Sequence, residues 1–266
     1  MLQYKIEVFL NWDSSNLMNF IFRKILSFNR IRNYFCIIRI FYYCIIKKKM
    51  KNYGSVSSHT WKNTLDSNKR AVYDKDINLP KHPSRKKIFS IATNPGGSKL
   101  NLLLEAIRKK YSKSEFKNLK VLSIGPRSEG EIFNLFANGF ELKNITGLDL
   151  FSYSPFIKLG DMHSLSFNDE EFDIVLMGWC LAYSNNKKKA LSETKRVLKK
   201  NGAIIVGHTR ILINDDEVVK KRGYLVASPF NKINSIPDLN NLVSAVGFKK
   251  FYSSSVERKI IYGATK

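Results

Sequence analysis

The chain has 266 residues, 44% of them hydrophobic, enough for one large α/β domain with an appendage. Its formal net charge is +23, which points either to an anionic partner or to lysines coating solvated faces; the second reading is adopted. Three cysteines, Cys36, Cys44 and Cys180, have no metal-ligand spacing and no disulfide framework, so a disulfide-rich secreted scaffold is excluded and a reducing cytoplasm is expected.

Residues 1–49 differ in character from the rest of the chain. Leu17 to Ile46 is rich in Phe, Ile and Tyr, interrupted by Arg23, Lys24, Arg30, Arg32 and Arg39. Its uncharged runs, 33–38 and 40–46, fall far short of the roughly 20 residues of a spanning helix. There is no small-residue cleavage site of a secretory signal. One reading is a basic, aromatic helix lying on an anionic membrane surface. The reading adopted is that Met50 is the true start and the preceding segment is a dispensable extension.

Residues 50–96 read as a polar, irregular arm with Pro80, Pro83, Pro95 and a solvated basic cluster, Arg85-Lys86-Lys87. Asn94 to Gly97 is a turn. Ser98 to Tyr111 is a helix whose Leu100, Leu103, Leu104 and Ile107 share a face. The domain proper spans 97–266. A first strand, Val121 to Ile124, ends at Gly125, and a helix follows from Ser128 to Asn138, with Ser128 as cap and Glu129 and Glu131 in the first turn. A second strand, Ile145 to Asp149, ends in an acid. The connection to Gly160-Asp161-Met162-His163 is too short for a crossover helix.

Phe172 to Met177 is the next strand, leading into Gly178-Trp179-Cys180-Leu181-Ala182-Tyr183-Ser184. Lys187 to Lys199 is a helix, with Lys187-Lys188-Lys189 solvated and Asn201-Gly202 as a left-handed cap. The strand Ala203 to Gly207 precedes His208-Thr209-Arg210. Ile211 to Ile233 is a polar insertion containing Arg222-Gly223-Tyr224. A helix from Pro237 to Val246 ends at Gly247, and two strands, 248–253 and 258–264, close the chain. Apolar runs alternating with amphipathic helices predict an α/β, Rossmann-like sheet of seven mostly parallel strands, the last antiparallel, with helices on both faces.

This ordered set resembles the cofactor half of a class I S-adenosylmethionine-dependent methyltransferase, over residues 97–266. The resemblance implies S-adenosyl-L-methionine as cofactor, bound beyond the carboxyl ends of the strands. Gly125 then lets backbone approach the ligand, Asp149 accepts from ribose hydroxyls, and Asp161, in the Gly-Asp-Met segment, accepts from the adenine amino group. Pro126, Arg127, Leu150, Met162, Gly178 and Trp179 complete the expected contacts. One departure stands out. The family has an acid two residues before the first glycine, and glycines two and four residues after it; here those places hold Ser123, Arg127 and Glu129. The methionine end is therefore expected to be held by Glu129 or by backbone. His163 and His208 are the candidates for a general base. The implied acceptor is a small molecule, such as a sugar or a lipid-linked intermediate. A tRNA or rRNA methyltransferase is the alternative enzyme, and a catalytically silent cofactor-binding protein the alternative from another class.

Overall fold

A computed structural model describes residues 16–49, 51–52, 55–56, 62–65, 71–74, 77–78, 99–126, 128–184, 186–210, 214, 217, 220 and 232–266. Seven of its strands form one sheet: β1 (Val121–Ile124), β2 (Ile145–Asp149), β3 (Ile157–Leu159), β4 (Phe172–Gly178), β5 (Leu198–Thr209), β6 (Lys249–Val256) and β7 (Lys259–Thr265). Their spatial order is β6-β7-β5-β4-β1-β2-β3. β1 to β5 pair in parallel, and β7 runs antiparallel to both β5 and β6. The expected fold class is the observed one.

The period-2 alternation of each strand divides the core between the faces of the sheet. Val175, Met177, Ile204 and Val206 belong to one buried cluster. Ile174, Leu176, Ala203 and Ile205 belong to the other. Burying one such Leu, Ile or Phe side chain contributes about 1.5–3 kcal/mol. Six helices are described: α1 (Asn16–Ser27), α2 (Asn29–Phe41), α3 (Leu100–Arg108), α4 (Glu129–Ala137), α5 (Lys187–Val197) and α6 (Ile236–Ser244). Leu100, Leu103, Leu104 and Ile107 of α3 are buried, as their spacing predicts. Ser128 caps α4 by accepting from the Gly130 N–H at 3.2 Å, and Ser235 caps α6 through the Asp238 N–H.

Three local readings are corrected. Helix α5 stops at Val197, where Leu198 turns extended. Asn201 does adopt a left-handed φ of 61°, but it sits in the irregular start of β5, where the pairing with β4 shifts between Phe172 and Ile174. Lys187 is buried, unlike a solvated lysine, and its Nζ donates to the Ser184 carbonyl at 2.8 Å. The short connection after β2 contains β3 and no helix, as its length requires.

The largest difference concerns residues 16–49. Helices α1 and α2 pack against α4, and Phe22, Leu26 and Cys36 join the core cluster of the sheet face beneath it. Two arginines hold the two ends of α4. Arg23 donates to the carbonyls of Phe136 and Phe140 at 2.5 and 2.8 Å, and to the Glu141 carboxylate. That satisfies carbonyls at the helix carboxyl end, where the dipole also favours a cation. Arg39 forms a bidentate pair with Glu129, the first residue of α4, at 2.5 and 2.7 Å. These residues are part of the folded body and not a detachable extension. The turn at Asn94 to Gly97, the cluster at 85–87 and most of the 211–233 insertion lie outside the described residues.

Candidate active site

The carboxyl ends of β1, β2 and β4 meet at one point. Gly125, just past β1, has a left-handed φ of 71°. A Cβ there would fall 2.6 Å from Cys180 Cβ, so only glycine lets the turn after β1 touch the turn after β4. Its N–H donates to the Leu148 carbonyl at 2.8 Å, tying the turn to β2. Pro126 is buried, and its ring lies against Gly147 of β2. Arg127 lies outside the described residues.

Glu131, one turn into α4, is the acid of this site, although in the sequence it reads only as a helix-dipole acid. It receives a hydrogen bond from Ser123 Oγ at 2.6 Å. Its carboxylate oxygens are also the nearest polar atoms to Gly178, at 3.5 and 3.6 Å from where a Cβ would stand. Glu131 therefore fills the space between the ends of β1 and β4. The acid that the first strand lacks at Ser123 is supplied from eight residues downstream, through a hydrogen bond to that same serine. Burial, opposed by the Ser123 bond and reinforced by the negative charge of Asp149, pushes the Glu131 carboxyl up to about 7. A lone polar residue, Ser123, in an otherwise apolar strand was the signal that could have found it.

Glu129 does not reach this point. Its side chain is fully buried and engaged by Arg39 and Ser154, and its N–H donates to Tyr153 Oη at 3.1 Å. The arginine lies among the rings of Phe35, Tyr43, Phe133 and Phe156, each centroid within 5.6 Å of its guanidinium carbon. The expectation that Glu129 holds the methionine end is thus corrected: a buried carboxylate needs a cation, and Arg39 supplies it.

Asp149 ends β2 half-buried, with Leu150 beside it also half-buried. The Gly160 N–H donates to the Asp149 carbonyl at 2.9 Å, which brings the Gly160-Asp161 segment alongside. Asp161 Oδ1 accepts from the His163 N–H at 2.8 Å and contacts its Nδ1 at 2.6 Å. His163 Nε2 in turn meets Ser184 Oγ at 2.7 Å. Ser184 is wholly buried and also accepts from the Asn186 N–H at 3.1 Å. This Asp-His-Ser chain is therefore a clamp that fixes Asp161, not an exposed nucleophile. Met162 points its side chain into the core, which leaves its backbone for any ligand contact.

Trp179 is held at a left-handed φ of 66°, backbone strain of the kind that collects at functional sites. Its N–H donates to the Gly207 carbonyl at 2.9 Å and its Nε1 to Thr209 Oγ1 at 2.8 Å. The ring lies over Gly207, and Lys99 Nζ sits 4.8 Å from its centroid. His208 Nε2 lies 2.7 Å from the Ile233 carbonyl, which makes Nε2 the protonated nitrogen. Its Nδ1 is buried without a hydrogen-bond partner among the described residues. Burial, with Lys187 adding to it, lowers His208 to about 4 despite the Ile233 bond. It is a neutral latch between β5 and the 232–235 segment and a weak base.

Two carboxylates, Glu131 and Asp149, flank a turn that only glycine permits, and among the described residues no lysine or arginine ion-pairs with Glu131.

Residues 122–206 match a family model described as a methyltransferase domain. Two uncharacterized proteins of Methanocaldococcus jannaschii share shorter segments. MJ1123 is 51% identical over 43 residues, 16% of this chain and 21% of that protein. MJ0638 is 37% identical over 92 residues, 35% of this chain and 37% of that protein. The matched segments thus span well under half of either relative. Among solved structures, the MccD protein superposes with a TM-score of 0.50 at 15% identity, covering 65% of this chain and all of that one (100%). An S-adenosylmethionine-dependent methyltransferase from Mesorhizobium loti gives a TM-score of 0.48 at 13% identity, covering 65% and 99%. The matched segment runs from β1 to β5, and the seven strands lie in the order β6-β7-β5-β4-β1-β2-β3, so residues 122–206 carry a methyltransferase domain set in a Rossmann-like sheet, a domain type that implies S-adenosyl-L-methionine as cofactor.

Proposed function

We propose that the protein transfers the methyl group of S-adenosyl-L-methionine to a small-molecule acceptor, such as a sugar or lipid-linked intermediate. The observation that carries this reading is the convergence of Glu131, Asp149 and the Gly125–Cys180 approach at the ends of three adjacent strands. The cofactor supplies an activated methyl group and a neutral leaving group, so the protein's task is chiefly positioning. Asp149 is suited to the ribose hydroxyls, Asp161 in its His163 clamp to the adenine edge, and Glu131 to the positive methionine end. Burial makes His208 a weak base and His163 is engaged at both ring nitrogens, so the reading favours an acceptor that needs little help in losing a proton.

Support for a small acceptor over RNA comes from the partners of four of the described arginines. Arg23, Arg39 and Arg196 are spent on internal carboxylates, with Arg23 and Arg196 also bonded to carbonyls, and Arg32 on the Leu26 carbonyl and Asn29. Phosphate recognition needs such groups free at the surface. The test is methyl transfer from labelled cofactor into fractionated extract at physiological salt, where nonspecific RNA binding weakens. Label in a low-molecular-weight or lipid fraction is expected. Label chiefly in RNA overturns the acceptor assignment, and no transfer with intact cofactor binding points to a silent binding protein.

A further inference from the structure

Helices α1 and α2 are apolar on both their inward and their outward faces. The face of α2 turned toward the protein carries Arg32 and Arg39, which are 3% and 2% exposed. Its outward face carries Ile31, Tyr34, Ile38 and Phe41, spaced by three, four and three residues, which is one helical stripe. On α1 the outward stripe is Leu17, Ile21 and Ile25, followed by the exposed Phe28 at the start of α2, while Phe22 and Leu26 face the core. Both helices pack on α4 and on each other, and both stripes are exposed.

Of 13 exposed large hydrophobic residues among the described ones, 12 lie between 17 and 46; the other is Val256. Tyr34 and Ile38 are 69% and 66% exposed. A contiguous apolar surface of this kind marks an interaction site. The charge around it selects the partner. No Asp or Glu occurs from residue 14 to residue 65, and Lys24, Arg30, Lys47, Lys48, Lys49 and Lys51 are all exposed there. A second copy of this chain would bring like charges together, and a nucleic acid would leave the aliphatic stripes unburied. An anionic lipid surface satisfies both, taking the stripes into its headgroup boundary and the lysines at its phosphates. Among the described residues no helix is long and apolar enough to cross a membrane, so the pair would lie on the surface.

We propose that the α1–α2 hairpin, with Lys47 to Lys49 at its end, docks the protein onto the surface of an anionic membrane. This inference stands whichever acceptor the site uses. The test is cosedimentation of the purified full chain with large unilamellar vesicles of phosphatidylcholine, with and without phosphatidylglycerol. Binding is expected chiefly to phosphatidylglycerol vesicles and to weaken with salt. Replacing Lys47, Lys48 and Lys49 by Gln is expected to lower the partition coefficient roughly fivefold per lysine, about a hundredfold together. Ile31→Ser with Ile38→Ser removes outward side chains only, so an unchanged thermal melt with loss of vesicle binding supports the proposal. A full chain that remains in the supernatant, or binds irrespective of phosphatidylglycerol, overturns it. So does sedimentation equilibrium showing a dimer that the Ser pair dissociates, since the face would then belong to a second copy.

Discussion

Arg39 and Glu129, 90 residues apart in sequence, form a bidentate pair at 2.5 and 2.7 Å with side chains 2% and 0% exposed. The pair fastens the amino-terminal hairpin to the first residue of α4, directly after the turn that shapes the cofactor site. Breaking a buried pair leaves a charge without compensation, a cost of about 3–5 kcal/mol, whereas replacing both partners by apolar groups is close to neutral. Arg39→Met is expected to lower the urea midpoint markedly, and Arg39→Met with Glu129→Met to recover most of the loss. Equal destabilisation by the single and the double variant would show that the pair is not coupled. By the same reasoning a chain beginning at Met50 loses both Arg39 and Arg23 from α4 and is expected to be far less soluble or stable than the full chain.

Asp149→Asn is expected to weaken binding of S-adenosyl-L-methionine and its demethylated product alike, by about 10- to 100-fold. That follows from about 1.5–3 kcal/mol per hydrogen bond to a charged acceptor. Glu129→Gln should leave cofactor contacts intact and act instead on stability. Calorimetric titration separates the two: an Asp149→Asn protein that binds like the parent removes Asp149 from the site.

Much of this architecture was legible in the sequence because local rules and global fold agree. Buried runs such as Val121 to Ile124 and Phe172 to Met177 could only be central parallel strands, and Ser128 announced the start of α4. What could not be read were relations across space. Glu129 and Glu131 both look like ordinary first-turn acids, and nothing local says that one faces an arginine far upstream while the other turns back to Ser123. Lys187 reads as one of three solvated lysines, yet only its neighbours Lys188 and Lys189 face water. In α2 apolar residues lie on both faces, with Cys36 and Ile40 buried beside Arg32 and Arg39, so which face turns inward was not visible.

Glu131 leads to a prediction about proton release. A cationic ligand favours the ionised carboxylate, so binding below about pH 7 must expel the proton that burial holds on Glu131. Titrations at about pH 6 in buffers of different ionisation enthalpy are expected to reveal release approaching one proton per cofactor, with affinity rising toward neutral pH. In Glu131→Gln the release should vanish and the affinity should fall. Buffer-independent heats in the parent would exclude Glu131 from contact with the charged end.

The same shift, set against that of His208, predicts how stability depends on pH. Glu131 is raised from its ordinary value of 4.5 to about 7 in the fold. Between those values the folded state keeps a proton that the unfolded chain has lost, so this group makes stability fall as pH rises. His208 is lowered from 6.5 to about 4. Over that window the unfolded chain binds the extra proton, so this group makes stability rise with pH. Each effect amounts to about 3–4 kcal/mol at most, from roughly 1.4 kcal/mol per unit, and their windows overlap between pH 4.5 and 6.5. In the parent the two largely cancel there. Glu131→Gln should expose the His208 slope, with denaturation midpoints climbing from pH 4.5 to 6.5. His208→Asn, whose amide can still donate to the Ile233 carbonyl, should expose the opposite slope, falling from pH 4.5 toward 7. Two variants with the same slope as the parent across this range would show that neither group is buried in this way.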